Sequence, residues 1–420
     1  LNQKVMMKYK IFSVALLVFG SVVNAQDLEQ AKKAIDAEQF EKAKGILKSV
    51  NNSSDADGKG FFMLGDIYFK QSLNDSAAFY FAKGLEAKKF AHYNYIGLGQ
   101  LELAKANAAA AKSNFDKVVE AARRKDTEEL VYIGRAYMNI DKPDYKTALV
   151  YLNKAKAIQE NNAEMLLYLG DALYGDNNVN DAYSAYRNAY DADKSLLRAN
   201  LQLGVLTKKS KAFQEAKSAF ESILNANPSY GPAYRELAET YYLWALNDAK
   251  NFQAYNKKAI EYYQKYMSLT DYSLDSRMRH ADFLILTKDY KALEVEANEM
   301  QKLDKVNPRI LRYLGYSAFE NGNIDGATTA LNTFITTPNV KIIGRDYLYL
   351  GLAKTAKALT SSKDATGKDI HTVNETLFAE GVADFQKGIT LDPVMANELN
   401  DIGKKFFDLK LYNNAAAIYE

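Results

Sequence analysis

Tyr168-Leu169-Gly170, followed by Ala182-Tyr183-Ser184-Ala185-Tyr186, is the stretch from which the fold can be read. A glycine is answered twelve residues later by an alanine, and an aromatic stands four further on, one turn along the same helical face. Leu203-Gly204 and Ala216-Lys217-Ser218-Ala219-Phe220 repeat the arrangement, closing on Asn227-Pro228. Two antiparallel helices approach closely only where the facing side chains are small, so the Gly and the Ala mark a crossing and the aromatic fills the space beside it. A pair built this way leaves an apolar face open, and stacking the next pair buries it.

Working outward, the small residue of the first helix recurs as Ala31, Gly65, Gly99, Gly134, Gly170, Gly204, Ala238, Ala281, Gly315, Gly351 and Gly403. The spacing is 34 residues in five of the ten intervals and stretches to 43 after Ala238 and 52 after Gly351. The matching residue of the second helix recurs as Ala43, Ala77, Ala111, Ala148, Ala182, Ala216, Ala259, Leu293, Ala327, Gly381 and Ala415. Aromatics follow at Phe81, Phe115, Tyr186, Phe220, Tyr263, Phe385 and Tyr419.

These residues resemble the tetratricopeptide repeat, over nearly the whole chain and in about eleven copies. The departures are the absence of the family's tryptophan in the first helix, few closing prolines (Pro228 and Pro393), and Leu293 with Ala297 in place of Ala and an aromatic in the eighth copy. The resemblance implies an all-α fold, a right-handed superhelical solenoid of antiparallel helix pairs. The expected repeats run 24–57, 58–91, 92–126, 127–162, 163–196, 197–230, 231–273, 274–307, 308–343, 344–395 and, incompletely, 396–420. The nine extra residues around Trp244 to Lys257 predict that both helices of that repeat are longer. The polar run Thr360 to Lys368 predicts a surface loop, an insert at about 357–377. Residue 420 falls within a second helix with no polar cap, so a continuation of the chain is expected.

Residues 1–25 read as a secretory signal: Lys4, Lys8 and Lys10, an apolar run from Ile11 to Val23, then Val23-Asn24-Ala25 as a cleavage site. The remaining 26–420 is the solenoid, exported to a periplasmic or extracellular, cell-surface location, with no transmembrane span after cleavage. Of 54 Lys and Arg against 52 Asp and Glu, the signal holds three lysines and no acid, so the rest is close to neutral. That balance argues against a nucleic-acid binder, which needs a basic surplus to displace counterions. With no cysteine and three separated histidines, His92, His280 and His371, thiolate chemistry is excluded and a metal centre is not expected.

Catalytic motifs are not found. Gly97-Leu98-Gly99 lies at a crossing rather than after a strand. The calcium-loop-like run from Ser53 to Gly60 would need Glu at its twelfth position and has Leu64. The chain therefore reads as a non-enzyme with no cofactor. Its job is to bind a protein or peptide partner on the concave face, in cell-envelope assembly. The resemblance places Phe62, Asp66, Phe69, Tyr93, Arg135, Met138, Tyr174, Arg235, Tyr242, Arg312, Tyr316 and Phe319 on that face, beside Lys59, Lys70, Gln100, Asp171, Arg198, Lys208 and Arg309. Arg and aromatic residues dominate, as at protein-binding hot spots. Phe62/Asp66, Arg235/Glu239 and Arg312/Tyr316 do not match the Lys/Asn pair with which some relatives clamp a peptide carboxylate. Two alternatives stand beside this reading: a glycan-binding module using a Tyr-rich groove, and the repeat region of an enzyme whose catalytic domain lies beyond residue 420.

Overall fold

The computed structural model describes residues 26–420 except 54, 55, 72, 123–126, 272, 273, 306 and 339. The signal assigned to residues 1–25 lies outside the described residues, as does part of the Ser53–Gly60 run. The chain forms two compact units, residues 1–272 and 273–420. Unit 1 is seven stacked helix pairs: α1 (26–36) with α2 (Phe40–Asn51), α3 (Gly58–Lys70) with α4 (Asn74–Gly84), α5 (Tyr93–Ala104) with α6 (Ala108–Ala121), and α7 (Glu128–Met138) with α8 (Tyr145–Ile158). It continues with α9 (Ala163–Gly175) and α10 (Val179–Ala192), α11 (Leu197–Lys209) and α12 (Phe213–Ala226), and α13 (Gly231–Asn247) and α14 (Phe252–Leu269).

The crossings are built as the sequence pattern requires. A Cβ added to Gly170 would lie 2.5 Å from the Tyr186 ring, and one on Gly204 would lie 2.5 Å from the Phe220 ring. In two repeats that lack the aromatic, leucine takes its place: Leu152 beside Gly134 and Leu331 beside Gly315, both fully buried. The join between the two helices of a repeat is equally regular. The first helix ends on a residue in the left-handed region, Asn177 (φ 65°), Lys211 (φ 63°), Lys288 (φ 58°) or Gly322 (φ 86°). The next amide then donates back five residues, as Asn178 N to Leu173 O at 2.8 Å and Asn323 N to Ala318 O at 2.7 Å, satisfying the helix's last carbonyls. That same residue often caps the second helix: the Asn107, Asp144, Asn178, Asp289 and Asn323 side chains each accept a first-turn amide.

The seventh pair is longer, with 17 and 18 residues in α13 and α14. Its extra turns pack as an aromatic cluster, in which Trp244 lies 4.7 Å from Tyr255 and 6.0 Å from both Tyr241 and Phe213. The seventh pair also returns to the first. Tyr266 donates to Glu38 at 2.6 Å, Arg235 pairs with the same carboxylate, Gln39 donates to the Leu269 carbonyl at 3.4 Å, and Asp271 accepts from the Glu41 amide. Unit 1 is thus a closed turn of the solenoid.

Unit 2 consists of α15 (Leu274–Leu286) and α16 (Tyr290–Leu303), α17 (Arg309–Glu320) and α18 (Ile324–Thr336), and α19 (Gly344–Ala358) and α20 (Glu375–Leu391). A 3-10 turn (Pro393–Leu399) leads to α21 (Asn400–Asp408) and α22 (Tyr412–Tyr419). The eighth repeat forms despite its altered residues, since Ala281, Leu293, Ala297 and Met300 are all fully buried. The insert, expected as a loop, is a hairpin. Strands β1 (Leu359–Lys363) and β2 (Asp369–Val373) pair antiparallel, Leu359 opposite Val373 and Lys363 opposite Asp369. Ile370, Thr372 and Val373 are β-branched and favour the strand. The turn is closed by Asp364, whose carboxylate accepts from Thr366 N at 2.8 Å and Lys368 N at 3.0 Å, with Gly367 at φ 81°.

Candidate functional site

The first helices of unit 1 face inward, and because the turn closes they meet across its centre. The residue after the crossing position is charged or polar in six of the seven first helices, Lys32, Asp66, Gln100, Arg135, Asp171 and Glu239, and is Val205 on α11. Arg135 pairs with Asp66 at 2.9 Å and donates to the Tyr168 hydroxyl at 3.4 Å. Arg198 pairs with Asp171 and lies 5.2 Å over the Tyr168 ring. Lys208 bridges Glu236 and Glu239 at 2.6 Å each. Lys32, from α1, reaches Glu128 at 3.5 Å and Glu164 at 3.7 Å. The network joins α1, α3, α7, α9, α11 and α13, so the interior is a set of cross-braced first helices around a cavity of about 460 Å³.

Burial and charge compete in this interior. Burial opposes the Asp66 charge, but Arg135 and Lys70 outweigh it and hold its pKa below the ordinary value. Burial raises the Asp36 carboxyl despite Arg198 and Lys70 nearby. Lys70 is lowered by burial, reinforced by repulsion from Arg135 and Arg198 and only partly relieved by Asp66 and Asp36.

A second, larger recess of about 890 Å³ lies at the mouth, lined by Lys59, Lys89, Phe90, His92, Gln159 and Asn162 among others. Glu128 at its floor accepts from the Tyr93 hydroxyl at 2.8 Å and pairs with Lys59. Burial works against its charge, while Lys59 and Lys32 prevail and keep its pKa low. His92 contacts the buried Glu129 at 3.1 Å. Phe90 stands out on the rim. Its φ is 55°, a conformation bulky residues rarely adopt, and it is 45 % exposed. The strained loop is held because the Gly58 amide donates to the Lys89 carbonyl at 2.8 Å and Gly58 has no Cβ to collide with the Phe90 carbonyl.

The twelve residues assigned to the concave face fall into distinct settings. Asp66, Arg135 and Arg235 join the interior network, and all three border the 460 Å³ cavity. Phe62 and Tyr93 are 2 % exposed; Phe62 packs 5.5 Å from Tyr132 and 6.1 Å from Tyr93, so both rings belong to the core. Phe69 and Met138 are partly buried against that core, and Tyr174, also partly buried there, is covered by Lys209 at 4.5 Å. Tyr242 is partly buried on α13. In unit 2, Arg312 donates through two nitrogens to Asp346 at 2.7 and 2.8 Å, and Tyr316 donates to the same carboxylate at 2.7 Å. Asp346 is fully buried, so Arg312 and Tyr316 brace α17 against α19. Phe319 packs at 5.7 Å from Tyr349.

Several residues that shape the site carry no mark in the pattern of crossings: Asp36, Glu38, Glu128, Glu164, Tyr168 and Tyr230. Among the described residues no cluster of three or more His, Asp or Glu could hold a metal ion, and no helix is long and apolar enough to cross a membrane.

No protein-family model matches the chain. A tetratricopeptide-repeat-containing protein of Methanocaldococcus jannaschii is 25 % identical over 235 residues, 53 % of this chain and 41 % of that protein, so the match spans about two-fifths of that relative's length. Among solved structures, the human IFIT1 dimer with PPP-AAAA is similar over 92 % of this chain and 86 % of its own, with a TM-score of 0.50 and 14 % identity. A tetratricopeptide repeat protein from Parabacteroides merdae covers 62 % of this chain and 98 % of its own, with a TM-score of 0.43 and 12 % identity. The repeats of this chain are of the tetratricopeptide type, stacked as a solenoid of helix pairs.

Proposed function

We propose that the chain is an exported, non-catalytic scaffold that holds a protein or peptide partner, working in cell-envelope assembly. The fold is the general basis: a tetratricopeptide-type array presents a long, rigid surface assembled from successive repeats. The single observation that carries the reading is Phe90. A bulky aromatic kept exposed in a strained backbone conformation, at the rim of an 890 Å³ recess, is costly for stability and useful for contact. Lys89, His92, Gln159 and Asn162 supply polar contacts around it. Aromatic anchors with a polar surround are the usual composition of an interface hot spot.

Export rests on residues 1–25, and N-terminal sequencing of the protein from fractionated cells tests it; a mature start at Gln26 is expected. For the partner site, a photo-crosslinking residue is placed at position 90 and, as a control, at Val150, which is exposed on α8. A discrete adduct from position 90 alone supports the reading. No adduct, or the same adducts from both positions, would end it.

The glycan reading gains no support from the geometry. The Tyr93 ring is in the core, and Tyr174 is partly buried with Lys209 over its ring at 4.5 Å.

A further inference from the structure

We propose that the 460 Å³ cavity at the centre of unit 1 is a binding site for a small anion, a free carboxylate or phosphate compound. Its volume falls within the range of about 300–1,000 Å³ usual for small-molecule pockets. The hydrogen-bonding groups of its walls point to such a ligand. Arg135 Nε, Asn139 Nδ2 and the Tyr230 hydroxyl are buried and meet no acceptor among the described residues. A buried polar atom without a partner is uncommon and costly, so three donors around one cavity call for an acceptor within it. Lys70, whose side chain is 32 % exposed, borders the same cavity and reaches Asp66 only at 3.6 Å, that carboxylate being engaged by Arg135 at 2.9 Å.

The acids on the same walls are spoken for or set apart. Glu38 accepts from Arg235 and Tyr266. Glu164 accepts from Tyr132 at 3.2 Å and pairs with Lys32 at 3.7 Å. The unpartnered Asp66 Oδ1 faces the Gln100 amide. Asp36 makes no ion pair or hydrogen bond among the described residues, and burial raises its pKa against the pull of Arg198 and Lys70. Of the remaining acids on these walls, Asp193 accepts from the Ser195 amide at 2.8 Å and Glu29 is exposed, so three buried donors are left that an acceptor-rich ligand matches. The donors come from α3, from α7 and the residue that follows it, and from the segment leading into α13, so only a closed turn brings them together.

This site is separate from the partner contact at Phe90, and either reading can fail without the other. The test is isothermal titration of the full-length protein, at fixed ionic strength, with inorganic phosphate in one arm and succinate in the other. Saturable binding at one site per chain is expected in at least one arm, and the arm that responds identifies the anion class. Tyr230→Phe and Lys70→Met should each weaken that binding by about tenfold or more, the effect of removing one hydrogen bond to a charged group. Phe90→Ala should leave it unchanged. Circular dichroism confirms folding of each variant; should Lys70→Met not fold, Tyr230→Phe, which removes a single oxygen, carries the test. Absence of saturable binding in both arms, or affinities in the variants within twofold of the parent, would overturn the proposal.

Discussion

Replacing Asp346 with alanine removes the acceptor for four donors at once: Arg312 Nε at 2.7 Å, Arg312 Nη2 at 2.8 Å, the Tyr316 hydroxyl at 2.7 Å and the Ile343 amide at 2.8 Å. The Asp346 side chain is 0 % exposed and that of Arg312 is 11 %, so water cannot readily take the carboxylate's place. Arg312 keeps the Lys341 carbonyl at 2.7 Å and the Phe334 ring at 4.8 Å, neither of which neutralises its charge. Breaking one side of such a buried pair costs about 3–5 kcal/mol. Because the chain has two compact units, a single global unfolding energy is not the right measure. Amide hydrogen exchange in α17 and α19 is, since it reads opening where the pair acts. Exchange there should accelerate by at least about a hundredfold, the equivalent of roughly 3 kcal/mol. The triple variant Arg312→Met, Tyr316→Phe, Asp346→Leu removes the charges and the hydroxyl together and should recover most of the loss. An acceleration below about tenfold in Asp346→Ala, or a triple variant as loose as the single one, would refute the view that the cost comes from a stranded charge.

Gly170→Ala sets a methyl 2.5 Å from the Tyr186 ring and should destabilise the α9–α10 pair by about 1–3 kcal/mol, read as faster exchange in those helices. Lys211→Gly relieves a left-handed residue at φ 63° and should stabilise its turn by about 1 kcal/mol, seen as slower exchange at the end of α11. Asp66 and Glu128 ionise more readily in the folded chain than unfolded, so their stabilisation is complete above the ordinary carboxylate range and is lost as pH falls through and below it. Thermal melts from pH 7 to pH 3 should fall less steeply for Asp66→Asn than for the parent; an unchanged slope would count against the assignment.

What the sequence made legible is what its local geometry determines. A crossing needs a small residue, a partner twelve positions on and a filler one turn later, and Gly170, Ala182 and Tyr186 are enough to set it. The extra turns around Trp244 were legible for the same reason, since the helical pattern runs through them. The hairpin was not, because Thr360-Ser361-Ser362 is polar and the strands are only five residues each. Asp364 and Gly367, the residues that close its turn, were visible but equally suit a loop. The inner-face assignment met a different limit. Register places Phe62 and Tyr93 on the first helix but does not say whether a neighbouring helix covers them, and here Tyr132 from α7 does.

The closure of unit 1 is the feature that sequence periodicity could least supply, and it alters what the concave face can do. Glu38 and Arg235 are 197 residues apart, and their meeting depends on a small rotation per repeat accumulated over the whole turn. An open turn would expose Asp66, Arg135 and Arg198 as a groove for an extended partner. In the closed turn the same side chains face α1 and one another, and the free space shrinks to a cavity of about 460 Å³ with a wider recess at its mouth. A residue register that reads as one long binding surface therefore separates into two kinds of place: a polar centre suited to a small ligand, and a rim at Phe90 suited to a macromolecule. Cutting the Glu38 contact distinguishes these roles physically. Glu38→Ala leaves Arg235 and Tyr266 without their shared acceptor, so exchange in α1 and α14 should rise together, while the Phe90 loop, held by Gly58, should keep its protection. Parallel loosening of the loop would show that rim and centre are a single mechanical element.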